Sequence, residues 1–180
     1  VTQRIELVSG DRSEQLGTAM IRYTVTNHSA GNMSLKSRVL MDTQLGDKDF
    51  GYYEVTKGIL GAGYDFIDRE TTLSGDSVPA DYFVKDAPFE PDVAAFGVNS
   101  AMATDKPYQM TFAHWANLAS SKFDYAADSS LTFSNALNAH KTADSAAALY
   151  YDLGTAPAGG CSVRTRNTGP ASPWPSLRRN

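Results

Sequence analysis

The sequence is short of cysteine, of clustered positive charge and of long apolar runs, and each shortage excludes a class of protein. Cys161 is the single cysteine among 180 residues, so no internal disulfide framework can form. The formal net charge is −4 and the basic residues are scattered, which argues against a nucleic-acid partner. No apolar run approaches the roughly 20 residues of a membrane-spanning helix, so we expect no membrane span.

Motifs of the common catalytic sites are missing as well. The sequence has no nucleophile elbow of the Gly-x-Ser-x-Gly type and no phosphate-binding loop. Its histidines, His28, His114 and His140, lie dozens of residues apart and lack the short spacing of zinc ligands. We expect two surface histidines and one, His114, packed against an aromatic side chain. The sequence leaves open whether the protein is an enzyme.

The dominant hydrophobic period is two, which is typical of half-buried strands. Ile21, Tyr23 and Val25 alternate with polar residues, and residues 33–41 alternate in the same way after the turn formers of residues 27–32. A strand, a polar turn and a second strand predict a β-hairpin. Its buried face is predicted to carry Ile21, Tyr23, Val25, Leu35, Val39 and Met41, and its exposed face Arg22, Thr24, Lys36 and Arg38.

Short strands separated by glycine and proline are predicted along most of the chain. Only residues 130–140 could form a helix. This pattern predicts an all-β fold, an antiparallel β-sandwich large enough to be supersandwich-like, with at most short helical turns. The further strand candidates are residues 4–8, 50–56, 64–71, 93–98, 108–114 and 145–151.

The two ends of the chain suggest its domain organisation. Residues 4–8 have the pattern of a strand already under way, so we expect residues 1–160 to be a single β-sandwich domain cut from a larger protein. Residues 161–180 lose all periodicity and gather proline and arginine, which predicts a disordered or non-native tail. Deleting residues 164–180 should then change the melting temperature by only about a degree or two.

An acidic segment follows the second strand of the predicted hairpin. Asp42, Asp47 and Asp49 fall within eight residues, and carboxylate oxygens are the ligands that a hard cation such as calcium prefers. The spacing is not that of an EF-hand. Alternatively, these side chains accept hydrogen bonds from nearby backbone N–H groups in an acidic turn, and no cofactor is bound.

Aromatic side chains provide a second candidate site. Tyr52 and Tyr53 are adjacent, so in a strand one of them must face outward. That ring, together with Tyr82 on a proline-flanked loop, could stack on the face of a sugar. The alternative is that the aromatic residues fill the core of a sandwich.

Five motifs in order resemble a domain that recurs in large bacterial secreted and surface proteins. In that pattern an RYTVTN strand precedes LDT-x-LG-x-ND, W-x-NL, W-D-Y and DSA-x-ALYW. Lys48 stands where an asparagine is common, and Phe123 where a tryptophan is common. The resemblance implies a β-sandwich at an extracellular or cell-surface location, joined to other domains, and implies no activity. The matching segments are residues 21–27, 38–49, 112–118, 123–125 and 144–151.

Three functions remain open from the sequence. The first is a non-catalytic extracellular module for glycan binding or adhesion, with a polysaccharide or a cell-surface glycan as partner. The second is a metal-dependent hydrolase with promiscuous phosphoester or ester activity that uses either Asp42, Asp47 and Asp49 or the histidines. The third is a structural spacer that presents the other domains of a parent protein.

Overall fold

The computed structural model describes residues 1–9, 16–56, 64–99, 106–134, 143–159 and 162–169, and these are mostly antiparallel strands. The all-β prediction is therefore confirmed. One 3₁₀ turn (Gly75–Ser77) and one helix, α1 (Trp115–Ser120), interrupt the strands. The strands are β1 (Thr2–Ser9), β2 (Leu16–Thr26), β3 (Met33–Asp42), β4 (Tyr52–Thr56), β5 (Tyr64–Ile67), β6 (Thr71–Ser74), β7 (Asp81–Lys85), β8 (Ala94–Val98), β9 (Gln109–Ala113), β10 (Ala146–Ala156) and β11 (Ser162–Gly169).

The described strands form two sheets. The larger has the order β1-β2-β11-β8-β7-β4-β5, and the smaller has the order β3-β10-β9-β6. The main core contains residues from both sheets, as expected for a sandwich, because each sheet buries one face. Its largest fully buried side chains include Tyr53, Met110, Phe112, Phe133 and Tyr151.

The predicted hairpin of β2 and β3 is wrong. Both strands form, but β2 pairs with β1 and β11 in the larger sheet, whereas β3 pairs with β10 in the smaller one. The buried amide of Asn27 explains the crossing, because it donates to the carbonyl oxygens of Gly31, Ala156 and Pro157. The bonds to Ala156 and Pro157 attach the β2–β3 connection to the end of β10, whereas the bond to Gly31 lies within the connection itself.

The predicted buried face is only partly correct. Of the six residues assigned to it, Val39 is buried, and Tyr23 and Met41 are half-buried against the core. The other three are half-buried as well. A seven-stranded sheet is wider than the four-stranded sheet that covers it, and β1, at its edge, leaves Ile5 63% and Leu7 68% exposed.

Arg38 was predicted to be exposed on β3, but it is half-buried and binds the end of α1. One guanidinium nitrogen donates to the Leu118 carbonyl at 2.6 Å, and the other donates to Ser121 Oγ at 2.7 Å and to the Phe123 carbonyl at 2.9 Å. The planar guanidinium group thus ties β3 to the last turn of α1 and to the segment that follows it.

Replacing Arg38 by lysine is expected to destabilise the fold by about 1–3 kcal/mol, because an ammonium group cannot reproduce this forked set of bonds. Urea unfolding of Arg38→Lys measures the loss. Ser34→Ala, at an exposed position of the same strand, is the control and should change the free energy of unfolding by no more than about 0.5 kcal/mol. Equal stability of Arg38→Lys and the parent would contradict this role.

Four elements were not predicted, among them β6, because the single strand expected over residues 64–71 ends at Ile67. β7 occupies the stretch expected to be a proline-flanked loop, and α1 begins where His114 caps it, while residues 130–134 of the predicted helix are not helical. β11 contradicts a tail that lacks structure from residue 161, since it pairs with β2 from Ser162↔Thr26 to Gly169↔Ala19. Backbone hydrogen bonds to two neighbours let a strand form without an apolar alternation of its own. Residues 135–140 and 170–180 lie outside the described residues.

Within the described residues, no helix has the length and apolar character needed to cross a membrane.

Candidate functional site

Sheet pairing brings together two aspartates that lie a hundred residues apart in the sequence. Asp42 ends β3, and Asp144 lies two residues before Ala146, which is the register partner of Asp42 at the start of β10. Antiparallel neighbours in a sheet lie about 5 Å apart, so the two carboxyl groups meet at one corner of the smaller sheet.

A tight turn returns the acidic segment to the same corner. Leu45 and Lys48 exchange backbone hydrogen bonds of 2.9 and 3.1 Å, and Gly46 adopts a φ of +64° that suits glycine. The turn places Asp49 beside Asp42 and leaves Asp47 exposed near its tip. Ser145 secures the chain after the turn, because its hydroxyl both accepts from the Gly51 N–H and donates to the Gly51 carbonyl.

The three aspartates Asp42, Asp49 and Asp144 form a compact group, which we call the acidic corner. One carboxylate oxygen from each lies within 4.8 Å of the others, a spacing that allows a shared cation. The sequence prediction contained two of these three residues. Asp47 is not in the group, and Asp144 was missed because only the pairing of β3 with β10 brings it there.

Electrostatics at the acidic corner show that the carboxyl groups repel one another. Burial, and after it the charges of Asp42 and Asp49, raise the pKa of Asp144 to about 6, against the opposing effect of His114. Burial and then Asp49 also raise the pKa of Asp42, against the backbone N–H of Thr43. Excess negative charge at a partly buried site is what a bound cation would relieve.

The aromatic candidates do not come together as one binding surface. Tyr53 is fully buried, with its ring centroid 4.6 Å from that of Phe112, and Tyr82 lies in the core on β7 rather than on a loop. Tyr52 is the residue that faces outward, where its ring stacks on Phe66 at 5.4 Å. The core interpretation is therefore right for Tyr53 and Tyr82. Successive residues of a strand point to opposite faces, and Tyr53 on β4 and Tyr82 on β7 lie on the face that packs against the smaller sheet.

A groove of about 530 Å³ lies between edge strands β5 and β6. Its lining combines apolar side chains with charged residues. Phe66 lines the groove and is 46% exposed. The complete lining is Val55, Thr56, Asp65, Phe66, Ile67, Asp68, Arg69, Thr71, Leu73, Asp76 and Ser77.

A buried carboxylate, Glu70, connects the two sequence motifs around Trp115 and Phe123. Its Oε1 accepts from the Asn117 amide at 2.8 Å, and its Oε2 accepts from the Tyr125 hydroxyl at 2.7 Å and from the Asp128 N–H at 3.2 Å. Glu70 is 1% exposed. Sequence analysis missed it because an isolated glutamate between strands carries no pattern.

The structure confirms His28 as a surface residue, whereas the packing of His114 against an aromatic side chain stays a prediction. His114 is buried, and its Nδ1 accepts from the Ala116 N–H at 3.1 Å to cap α1. His28 is exposed, and His140 lies outside the described residues.

No protein-family model, no curated protein and no solved structure matches this chain. The resemblance to a domain of bacterial surface proteins therefore stays a prediction.

Proposed function

We propose that this chain is a non-catalytic extracellular module that binds a neutral glycan in the groove between β5 and β6. One observation carries the proposal. The groove combines an apolar lining, a half-exposed aromatic ring at Phe66 and charged hydrogen-bonding groups in a space of about 530 Å³. Ligand sites usually have this composition, which is mostly apolar with a few polar groups that fix orientation.

The chemistry of a sugar fits these groups. A pyranose ring has an apolar face of C–H groups that can pack on an aromatic ring, and hydroxyls at its rim that donate to carboxylates. Asp65, Asp68 and Asp76 supply three carboxylates to the lining, whereas Arg69 supplies one cation and already pairs with Asp68 at 3.0 Å. This excess of negative charge favours a neutral glycan over an acidic one.

Affinity electrophoresis in gels that contain neutral or acidic polysaccharides tests the proposal. We expect retardation by at least one neutral polysaccharide, and Phe66→Ala should weaken the affinity about tenfold, equivalent to about 1.4 kcal/mol. Phe89→Ala is the matched control, since Phe89 is 86% exposed on the β7–β8 connection and is not in the groove. It should bind as the parent does.

The possible results separate the functions. Equal loss in the Phe66 and Phe89 variants would place binding elsewhere. The absence of retardation by every polysaccharide would leave the spacer function as the better account. Binding of an extended peptide instead, by strand addition beside β5, which ends the larger sheet among the described strands, would also overturn the glycan assignment.

A further inference from the structure

A fully buried hydroxyl lies next to the acidic corner without a hydrogen-bond partner. Tyr53 is 0% exposed, and within the described part of the chain no group hydrogen-bonds to its hydroxyl. The polar groups near that hydroxyl include the side chains of Tyr82, Ser145 and Thr43 and the carboxyl of Asp42. Thr43 and Ser145 directly follow Asp42 and Asp144, so the phenol points toward the acidic corner from the core.

A second polar atom, in the acidic corner itself, is buried in the same way. Among the described residues, no donor reaches the buried Oδ1 of Asp144. Burying a polar atom without a partner costs about 1–3 kcal/mol, so such atoms in folded proteins usually contact water or an ion. The single O–H of Ser145 is already donated to the Gly51 carbonyl, so Ser145 cannot donate to Asp144 Oδ1.

We propose that Asp42, Asp49 and Asp144 bind a hard divalent cation of the size of calcium, with Tyr53 hydrogen-bonded to a cation-bound water. Three carboxylates supply oxygen ligands, and water completes the coordination shell. The cation would satisfy Asp144 Oδ1 directly and offset the repulsion among the three charges. This site does not depend on the glycan groove, so either proposal can fail alone.

The cation has a structural consequence for the fold. It would join the end of β3, the segment after the Leu45–Lys48 turn and the start of β10. The pairing of Asp42 with Ala146 holds the first of these to β10, and the Ser145–Gly51 bonds hold the second. A site with only three protein ligands at a partly exposed corner is expected to bind calcium with a Kd on the order of 0.1 mM, as extracellular modules do.

Calcium titration of the full chain, followed by calorimetry and thermal unfolding, tests this proposal. After treatment with EDTA, 10 mM Ca²⁺ should raise the melting temperature by roughly 5–10 °C. Asp144→Asn and Asp42→Asn should each lower the affinity at least tenfold. Asp47→Asn is the matched control, because Asp47 belongs to the same segment but not to the acidic corner. It should keep the parent's calcium response.

Two further measurements separate coordination from a merely structural role. In EDTA, Asp144→Asn should be no less stable than the parent, since it removes one of three repelling charges. Tyr53→Phe should fold and should weaken calcium binding about fivefold, the value of one hydrogen bond. Should Asp144→Asn fail to fold, Asp49→Asn replaces it. A parent protein that ignores calcium, or an Asp47→Asn variant as impaired as Asp144→Asn, overturns the assignment.

Discussion

Replacing Glu70 by alanine is expected to destabilise the fold by about 3–5 kcal/mol, because the change leaves several buried donors without an acceptor. The Asn117 amide, the Tyr125 hydroxyl and the Asp128 N–H all point at the Glu70 carboxylate. Leaving one buried donor unpaired costs about 1–3 kcal/mol, with the lower values at partly exposed sites such as Tyr125. Urea unfolding followed by circular dichroism measures the loss.

The size of this effect should distinguish Glu70 from nearby acids. Glu70→Gln keeps one acceptor oxygen and should lose about half as much stability as Glu70→Ala. Asp68→Ala removes a surface ion pair with Arg69, in which both side chains are about half exposed, and should cost no more than about 1 kcal/mol. If Glu70→Ala were as stable as Asp68→Ala, the connection between β6 and the segment after α1 would not depend on Glu70.

Ending the chain after Gly159 is expected to destabilise the protein by about 5 kcal/mol or more, comparable to the whole stability of an ordinary domain. The deletion removes β11, which pairs with β2 along its full length and bridges to β8 at Thr168↔Val98. Without it, the β1–β2 pair loses its connection to the rest of the larger sheet and exposes two new strand edges.

A shorter truncation provides the control for β11. A chain that ends after Gly169 keeps every described strand, so a matched pair of thermal melts compares the loss of β11 with the loss of residues 170–180 alone. If both truncations melted with the parent, the sequence-based prediction of a dispensable tail from residue 161 would be correct and the pairing of β11 would contribute nothing.

Strand locations followed from the sequence wherever the pattern was local. The alternation around Ile21 and Tyr23 located β2, and similar patterns located β3, β4 and β9 to within two residues at either end. Because Tyr52 and Tyr53 are adjacent in a strand, the sequence predicted that one ring faces inward and the other outward. Only the packing against the smaller sheet showed that Tyr53 is the one in the core. Ser145 bonds to Gly51, which is 94 residues away in the sequence, so this contact could not be derived from local order.

The pairing partner of each strand could not be derived from local sequence patterns, because pairing depends on residues far apart in the chain. The polar segment after β2 is compatible with a hairpin turn, and the bonds from Asn27 to the end of β10 are what direct β3 into the other sheet. The sequence of β11 has no apolar period, and its pairing with β2 is what identifies it as a strand.

The candidate sites also combine features that the sequence determined with features that only the tertiary structure decided. The sequence by itself determined that carboxylates gather near Asp42 and that one of two tyrosines faces outward, because both follow from local order. Only the tertiary structure replaced Asp47 by Asp144 in the acidic corner, through the register of β3 with β10. It also placed Tyr82 inside and formed the groove between β5 and β6, because a site built from two sheets exists only after the sheets have packed.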